Sequence, residues 1–210
     1  MRLTASFSSP YAAVLLAALL VASPAIAATP PVDARSTTSL VDASKIRIDN
    51  FGRVNANYYR GAQPNGRDYA DLAALGVKAI INLTSDDAEP NEMAFAQDNG
   101  LKYFRIPMTT HEPPTVEELA AFLSIVEDPA NQPVYVHCVG GRHRTGVMTA
   151  AYRMTKEGWN ADQAFNEMKQ YKFGADFLHP EFKRFVYGYR VALAAKLPVQ
   201  AVTARVKTQG

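Results

Sequence analysis

Cysteine is nearly absent from this sequence: among its 210 residues there is one, Cys138. A disulfide within the chain is therefore excluded, and a cysteine-based zinc site would need more thiolates than the chain has. The four histidines are scattered along the sequence, so no cluster of metal ligands is expected, and neither a metal nor another cofactor is predicted. The lone cysteine is a link to another chain, a thiol kept for its reactivity or an inert apolar residue.

An excess of charge of one sign is also absent. The chain has 22 lysines and arginines against 20 aspartates and glutamates, a formal net charge of +2. This balance does not provide the broad cationic face that nucleic-acid binding requires, so no nucleic-acid partner is expected. A local anion site remains compatible with it. The length and the hydrophobic content of 48% suit one globular domain.

No apolar run reaches the roughly 20 residues that a membrane-spanning helix needs. The run at positions 12–22 follows Arg2 and precedes small residues at 25 and 27, which is typical of a secretory signal peptide cleaved before Ala28. Export to the periplasm or out of the cell, with no stable membrane anchor, is therefore expected. The predicted organisation is a signal peptide (1–27), a flexible lead-in (28–45), a folded domain (46–196) and a loose C-terminal tail (197–210).

Strand-like and helix-like segments alternate along the predicted domain. This alternation predicts an α/β fold with a central, largely parallel sheet of about four to five strands flanked by helices. The predicted strands are a short one from Asn57, then Val77–Leu83, Leu101–Met108 and Pro133–Cys138. The predicted helices are Asp68–Leu75, Asn91–Asn99, one capped by Thr115, one beginning at Arg144 or Thr145, Ala161–Tyr171 and Pro180–Lys196.

Cys138 lies where a strand ends and a glycine-rich turn leads into a helix. In open α/β sheets, ligands collect at this end of the strands. Gly140 and Gly141 allow a tight turn that aims successive backbone N–H groups at one point, which makes an anion cradle. The helix N-terminus and the guanidinium of Arg144 both favour the thiolate. Arg144 also offers a planar fork of donors that matches phosphate oxygens. The turn therefore predicts a nucleophile at the floor of a phosphate site.

Other residues of the turn have supporting roles in this interpretation. Thr145 is placed to hydrogen-bond the sulfur, and His137 to hold the backbone of the loop. Arg142 and His143 lie at the mouth of the cradle, where they are expected to contact the substrate. The spacing also resembles a nucleotide-binding loop, but Val147 stands where that loop requires lysine.

The stretch "HCVGGRHRTG" matches the H-C-x-x-G-x-x-R-[ST]-G signature and resembles the cysteine-dependent protein tyrosine and dual-specificity phosphatases. The segment "NFGRVNANYYRGAQPNGRDYADLAALGVKAIINL" resembles the start of their atypical dual-specificity branch, which includes bacterial exported members and the plant and fungal type. The likeness extends from about Asn50 to Tyr189. It implies the phosphatase fold, Cys138 as nucleophile and a phosphocysteine intermediate. It also implies that Arg144 and the loop amides bind the phosphate, the loop being Val139, Gly140, Gly141, Arg142 and His143.

A phosphatase of this type also needs a general acid to protonate the leaving oxygen. The family supplies an aspartate from an upstream loop, but the corresponding segment here, "MTTHEPPT", contains none. Glu112 is the first candidate and His111 the second, while Asp86 and Asp87 follow the preceding strand. Glu112 can equally be a solvated carboxylate near the N-terminus of the next helix.

Three functions are compatible with these residues. The leading hypothesis is a metal-independent phosphatase that acts on phosphotyrosine, and on phosphoserine and phosphothreonine, in proteins. The alternative within the same chemistry is a phosphatase for inositol phosphates or inositol pyrophosphates, which are small phosphorylated metabolites. The third is a module that binds phosphorylated partners without turnover.

Overall fold

The computed structural model describes residues 42–85 and 89–190, all within a unit formed by residues 39–210. The predicted signal peptide, nearly all of the lead-in and the C-terminal tail lie outside the described residues, as do Asp86 and Asp87. The last residues of the lead-in, Ala43–Lys45, form a 3-10 turn. In the two described ranges, no helix has the length and apolar character needed to cross a membrane.

Among the described residues, five strands form one sheet, and its centre is the strand that leads to Cys138. The strands follow the order β1-β2-β5-β3-β4; β1 pairs antiparallel with β2 and the other three pairs are parallel. The predicted α/β class with a largely parallel sheet is therefore confirmed. The strands are β1 (Gly52–Asn55), β2 (Tyr58–Gly61), β3 (Ala79–Thr84), β4 (Lys102–Met108) and β5 (Val134–His137).

Within residues 42–85 and 89–190, six α-helices flank this sheet: α1 (Asp68–Ala74), α2 (Glu92–Asp98), α3 (Val116–Glu127), α4 (Arg144–Lys156), α5 (Ala161–Gln170) and α6 (Pro180–Gly188). The sequence pattern missed β1, a short stretch in which Val54 is the buried residue. It also extended the last helix to Lys196, whereas α6 ends at Gly188 because Tyr189 adopts an extended backbone (φ −61°, ψ 135°).

The two faces of the sheet carry separate hydrophobic clusters. One cluster packs α3 to α6 against Val134, Val136 and Cys138, and the other packs α1 and α2 against Tyr135. Because side chains alternate along a strand, His137 lies on the α1 and α2 side while Cys138 lies on the α4 side. The nucleophile candidate and its neighbour in sequence therefore belong to different environments.

The predicted capping box at the start of α3 is present. The Thr115 hydroxyl accepts a hydrogen bond from the Glu118 backbone N–H at 3.1 Å, and the Glu118 carboxylate accepts one from the Thr115 N–H at 2.7 Å. These bonds satisfy donors that the first turn of a helix leaves unpaired. They also fix the point at which the segment 109–115 ends.

Candidate active site

The turn after β5 adopts a conformation that only glycine can supply at its centre. Cys138 directly follows the strand with 3% of its surface exposed, and α4 begins six residues later at Arg144. Gly141 has a φ of +64°, and a Cβ there would lie 2.4 Å from the carbonyl carbon of Gly61. The turn therefore packs directly on the backbone at the end of β2, and no side chain fits between them.

Asn50 fixes this turn from a distant part of the sequence. Its side-chain amide donates to the carbonyls of Gly141 and Tyr171, each at 2.9 Å, and to that of Gly140 at 3.3 Å. Asn50 itself has a φ of +57°, a left-handed conformation that asparagine tolerates better than most residues. One side chain therefore joins the turn to the end of α5.

Arg60 is a buried cation beneath the same turn. It is fully buried in β2, its Nη2 donates to the Gly141 carbonyl at 2.9 Å, and its guanidinium lies 3.9 Å from the centre of the Tyr171 ring. Burial lowers the pKa of Arg60 from its usual value, and electrostatic interactions with Tyr58 and Glu167 oppose that shift. Arginine stays protonated nonetheless. Arg60 therefore supplies a positive charge close to the sulfur.

The backbone carbonyls of the turn are hydrogen-bonded to the rest of the protein, whereas its backbone N–H groups are available. The carbonyls of Val139, Gly140 and Gly141 accept hydrogen bonds from Gln63, Asn50 and Arg60 respectively. In the described part of the chain, the backbone N–H groups of residues 139–143 donate to no acceptor. Consecutive N–H groups left available in a tight turn form an anion-binding nest. This arrangement can hold the oxygens of a phosphate around Cys138.

Arg144 is positioned by the first turn of α4 and by the end of β4. It is 3% exposed, and its Nη1 donates to the Met108 carbonyl at 3.2 Å. Thr145, which follows it, is fully buried and its hydroxyl has no hydrogen-bond partner among the residues described. The predicted hydrogen bond between Thr145 and the sulfur is therefore not made in this structure. The Thr145 carbonyl instead accepts from the Thr149 hydroxyl at 2.7 Å within α4.

His137 contacts a buried carboxylate rather than the loop backbone that was predicted as its partner. Its Nε2 lies 2.7 Å from Oε1 of Glu92, and both side chains are fully buried. Successive side chains of β5 face opposite sides of the sheet, and this alternation turns His137 towards α2 and away from the loop backbone. Burial alone would raise the pKa of Glu92, but hydrogen bonds and the charge of His137 hold it below its usual value. Glu92 therefore carries a negative charge beneath the end of β5.

His143 turns towards the segment before α6. Its Nε2 donates to the Phe173 carbonyl at 3.0 Å, and its ring centre lies 3.8 Å from that of His179. Burial lowers the pKa of His143, the bond to Phe173 opposes this, and the charges of His179, Arg142 and Arg144 lower it further. The neutral imidazole is therefore favoured. Arg142, in contrast, is exposed beside the turn.

The two general-acid candidates in the segment 109–115 are both exposed. The Glu112 carboxylate accepts a hydrogen bond from the Thr109 hydroxyl at 3.3 Å, within its own segment. The ring of His111 stacks on that of His179, with their centres 5.7 Å apart. Because His179 also contacts His143, the segment reaches the mouth of the cradle. The other two candidates, Asp86 and Asp87, lie outside the described residues.

Histidines that are far apart in sequence therefore meet at the mouth of the cradle. His111 follows β4, His143 precedes α4 and His179 caps α6, and their rings form a continuous contact. The expectation that the scattered histidines form no cluster of metal ligands is wrong for His111 and His179, whose ligand atoms lie within 4.8 Å of one another and of a Glu181 oxygen. The sequence did not reveal this cluster because the three histidines are far apart along it. Only the fold brings the loops that carry them together at one end.

Several features of the site were not recognised from the sequence. Asn50 and Arg60 support the turn, yet neither lies near it in sequence, and Glu92 lies 45 positions before His137. One signal was available for Arg60, since it is a charged residue that directly follows two tyrosines in the strand predicted from Asn57. For Asn50 the sequence gives no comparable signal.

Comparisons with known proteins agree on one family. A family model described as the tyrosine phosphatase family matches residues 45–196. A probable tyrosine-protein phosphatase of Dictyostelium discoideum, DG1060, is 32% identical over 126 residues, which cover 58% of this chain and 75% of that protein. The inositol diphosphatase SIW14 of Saccharomyces cerevisiae is 28% identical over 139 residues, covering 64% and 49% respectively.

A solved structure supports the same relationship. The crystal structure of Pseudomonas aeruginosa TpbA in complex with phosphotyrosine superposes with a TM-score of 0.60 at 26% identity, covering 80% of this chain and 98% of that one. TpbA is a dual specificity protein phosphatase by name. The likeness therefore extends over nearly the whole of that domain.

Proposed function

The chain belongs to the tyrosine phosphatase family, and we propose that it hydrolyses phosphomonoesters through a phosphocysteine on Cys138 without a metal ion. The observation that carries this proposal is the turn itself. A cysteine lies at its floor, five consecutive N–H groups have no acceptor in the described structure, and Arg144 begins the helix that follows it. A negatively charged phosphate satisfies these donors, and its phosphorus then lies in front of the sulfur.

The first chemical step forms a bond from sulfur to phosphorus and breaks the bond from phosphorus to the leaving oxygen. The loop N–H groups and the Arg144 guanidinium stabilise the charge that develops on the phosphate oxygens. The leaving oxygen takes a proton from the general acid, for which we propose Glu112. In the second step a water molecule gives a proton back to that carboxylate and attacks phosphorus. The sulfur–phosphorus bond breaks, and inorganic phosphate leaves.

Glu112 is proposed as the general acid because its segment begins beside Arg144. The Met108 carbonyl that binds Arg144 ends β4, and Glu112 lies four residues further on. Exposure lets the carboxylate exchange protons with solvent between turnovers. His111 remains the second candidate, although its ring is engaged by His179.

We propose phosphotyrosine as the preferred substrate, with phosphoserine and phosphothreonine esters as weaker ones. The sulfur is recessed, so a long aryl ester reaches it more readily than a short alkyl ester. Apolar side chains are exposed around the mouth: Val139 in the turn, and Phe177 (79%) and Leu178 in the segment that ends at His179. Such a rim suits an aromatic ring. The phosphotyrosine complex of TpbA supports this choice.

Highly phosphorylated inositols are the second candidate, favoured by the exposed Arg142 and by the similarity to an inositol diphosphatase. Neighbouring lysines weaken this candidate because they are already paired. Lys172 forms an ion pair with Asp49 at 2.7 Å, and Lys169 and Lys183 share Asp176. Pairing lowers the net positive field that a polyanion would meet.

A substrate panel tests these proposals on the full chain. We expect aryl phosphate hydrolysis that persists in excess chelator and falls about 10⁵-fold or more in Cys138→Ser. Rapid mixing should show a burst of phenol before the steady state. Phosphotyrosine peptides should exceed phosphoserine peptides and inositol pyrophosphates in kcat/KM. Activity that survives Cys138→Ser, or that a chelator removes, would reject the mechanism; faster turnover of the inositol substrates would reject only the substrate preference.

We also propose that the chain is exported, on the strength of the apolar run and small residues near position 27. Expression in a bacterial host, followed by fractionation and N-terminal sequencing, should give a periplasmic or secreted product that begins at Ala28. An unprocessed chain in the cytoplasmic fraction would contradict the proposal.

A further inference from the structure

A second group of polar side chains lies beside the mouth of the proposed active site. His111, His179 and Glu181 each present one ligand atom, and these atoms lie within 4.8 Å of one another. The proposed phosphatase chemistry does not use His179 or Glu181. Two imidazoles and a carboxylate are the donor set of several three-ligand zinc sites, in which the fourth position is open.

Two of these ligands are positioned by the start of α6. His179 precedes the helix, Pro180 occupies its first turn, and Glu181 follows, so the backbone holds both side chains on one short segment. Nδ1 of His179 lies 3.3 Å from Oε1 of Glu181, and the two side chains are 13% and 15% exposed. Ligand atoms about 2.1 Å from a tetrahedral zinc ion are about 3.4 Å apart. The pair therefore already has the spacing that the ion requires.

The third ligand comes from the segment that carries the proposed general acid. His111 is exposed, and its ring already stacks on His179, so a side-chain rotation brings its nitrogen to the ion without moving α6. The ring of His179 also packs against those of Phe182 and His143. A partly buried and packed histidine loses less freedom on binding an ion than a surface histidine does.

We propose that His111, His179 and Glu181 bind Zn²⁺ or a similar divalent transition metal, and that the bound ion restrains the segment 109–115. Imidazole and carboxylate ligands suit this class of ion. The ion would join His111 to α6, and Glu112 is the next residue along the chain. This regulatory effect rests on the proposed function of Glu112, whereas the binding of the ion does not.

Metal titration of the Cys138→Ser protein tests the site independently of catalysis, because the variant removes both activity and the competing thiolate. Co²⁺ should give the intense visible absorption of a four-coordinate site at one equivalent, and Zn²⁺ should abolish that absorption. Loss of an outer partner of a metal ligand costs about 10- to 100-fold in affinity, so loss of a direct ligand should cost at least as much. We therefore expect the affinity for Co²⁺ to fall by at least this factor in His179→Asn and in Glu181→Gln.

A matched control removes one carboxylate at the far end of the fold. Glu127, at the end of α3, forms an ion pair with Lys156 at the end of α4. In the same background, Glu127→Gln should bind Co²⁺ as the parent does. The site would be overturned if His179→Asn and Glu181→Gln bound Co²⁺ as tightly as the parent. It would also be overturned if Glu127→Gln lost as much Co²⁺ affinity as they do. Circular dichroism of each variant separates loss of a ligand from loss of the fold.

The regulatory effect is tested in the protein that retains Cys138. Zn²⁺ at the concentration that saturates the site should lower kcat for an aryl phosphate and leave KM nearly unchanged, since the phosphate cradle is not altered. Glu181→Gln should keep the activity of the metal-free protein and lose this inhibition. If Zn²⁺ inhibits Glu181→Gln equally, the ion acts on the Cys138 thiolate instead, and the regulatory role is wrong.

Discussion

The phosphate cradle and the general-acid segment differ in how the fold supports them. The cradle, residues 138–145, is pinned by Asn50, Arg60 and Gln63, and its central glycine packs on backbone. The segment 109–115 is fixed at its ends by β4 and by the capping box of α3, while the Glu112 carboxylate hydrogen-bonds only to a threonine hydroxyl of the same segment among the described residues. In the proposed mechanism, phosphate binding and nucleophilic attack therefore depend on geometry built in advance. Proton donation would depend on a side chain that the described structure does not hold in place.

The largest effect after loss of the nucleophile is expected for Arg144→Lys. Lysine keeps the positive charge but cannot make the paired hydrogen bonds of a guanidinium, and it cannot reach the Met108 carbonyl in the same way. Removal of one preorganised donor costs about 10²- to 10³-fold in kcat. We expect a loss of about 10³-fold in kcat/KM for an aryl phosphate. A loss under about tenfold would show that charge alone suffices in the cradle.

A smaller loss, about 10²-fold in kcat, is expected for Glu112→Gln with an alkyl phosphate. An aryl phosphate has a better leaving group, so its loss should be several-fold smaller. A general acid must be protonated, so the parent rate falls on the alkaline side of the pH profile, and Glu112→Gln should lose that limb while the acidic limb remains.

Matched variants decide between the candidates for the acid. Glu117→Gln removes an exposed carboxylate in the first turn of α3 and should leave the profile unchanged. His111→Asn and Asp87→Asn test the other residues. If one of these loses the alkaline limb and Glu112→Gln keeps it, the assignment of Glu112 is wrong.

The same contrast explains how far the sequence could predict the site. Cys138, the glycines and Arg144 lie within seven positions, so a local pattern of strand, turn and helix was enough to predict a cradle. The alternation of apolar segments was enough to predict a parallel sheet. Asn50 and Arg60 bind the Gly141 carbonyl from 91 and 81 positions away, and contacts of that range are set by the tertiary fold. The histidine cluster was missed for the same reason.

A third prediction compares the support of the two regions directly. Asn50→Gly keeps the left-handed backbone but removes hydrogen bonds to three carbonyls, so we expect a loss of about 2 kcal/mol in the free energy of unfolding. Displacement of the turn should also lower kcat/KM by about tenfold. Thr109→Ala removes the hydroxyl that Glu112 contacts and should change stability by less than about 0.5 kcal/mol. Urea denaturation measures both. If Asn50→Gly and Thr109→Ala changed the free energy of unfolding equally, the fold would not support the cradle more strongly than the segment 109–115.

The smallest effect on activity is expected for Glu92→Gln, which acts behind the cradle through His137. Folding lowers the pKa of Glu92 from its usual 4.5, so its contribution to stability is complete above that pH and is lost as the pH falls through the folded value. Glutamine keeps an acceptor for His137 but no charge. We therefore expect a loss of about 1 kcal/mol at pH 7, a shallower fall of Tm below about pH 4.5 than in the parent, and kcat within about threefold of it. Glu127→Gln, at the exposed ion pair with Lys156, should retain the parent's pH dependence. An unchanged fall of Tm in Glu92→Gln would show that the charge of Glu92 does not support the strand beneath the nucleophile.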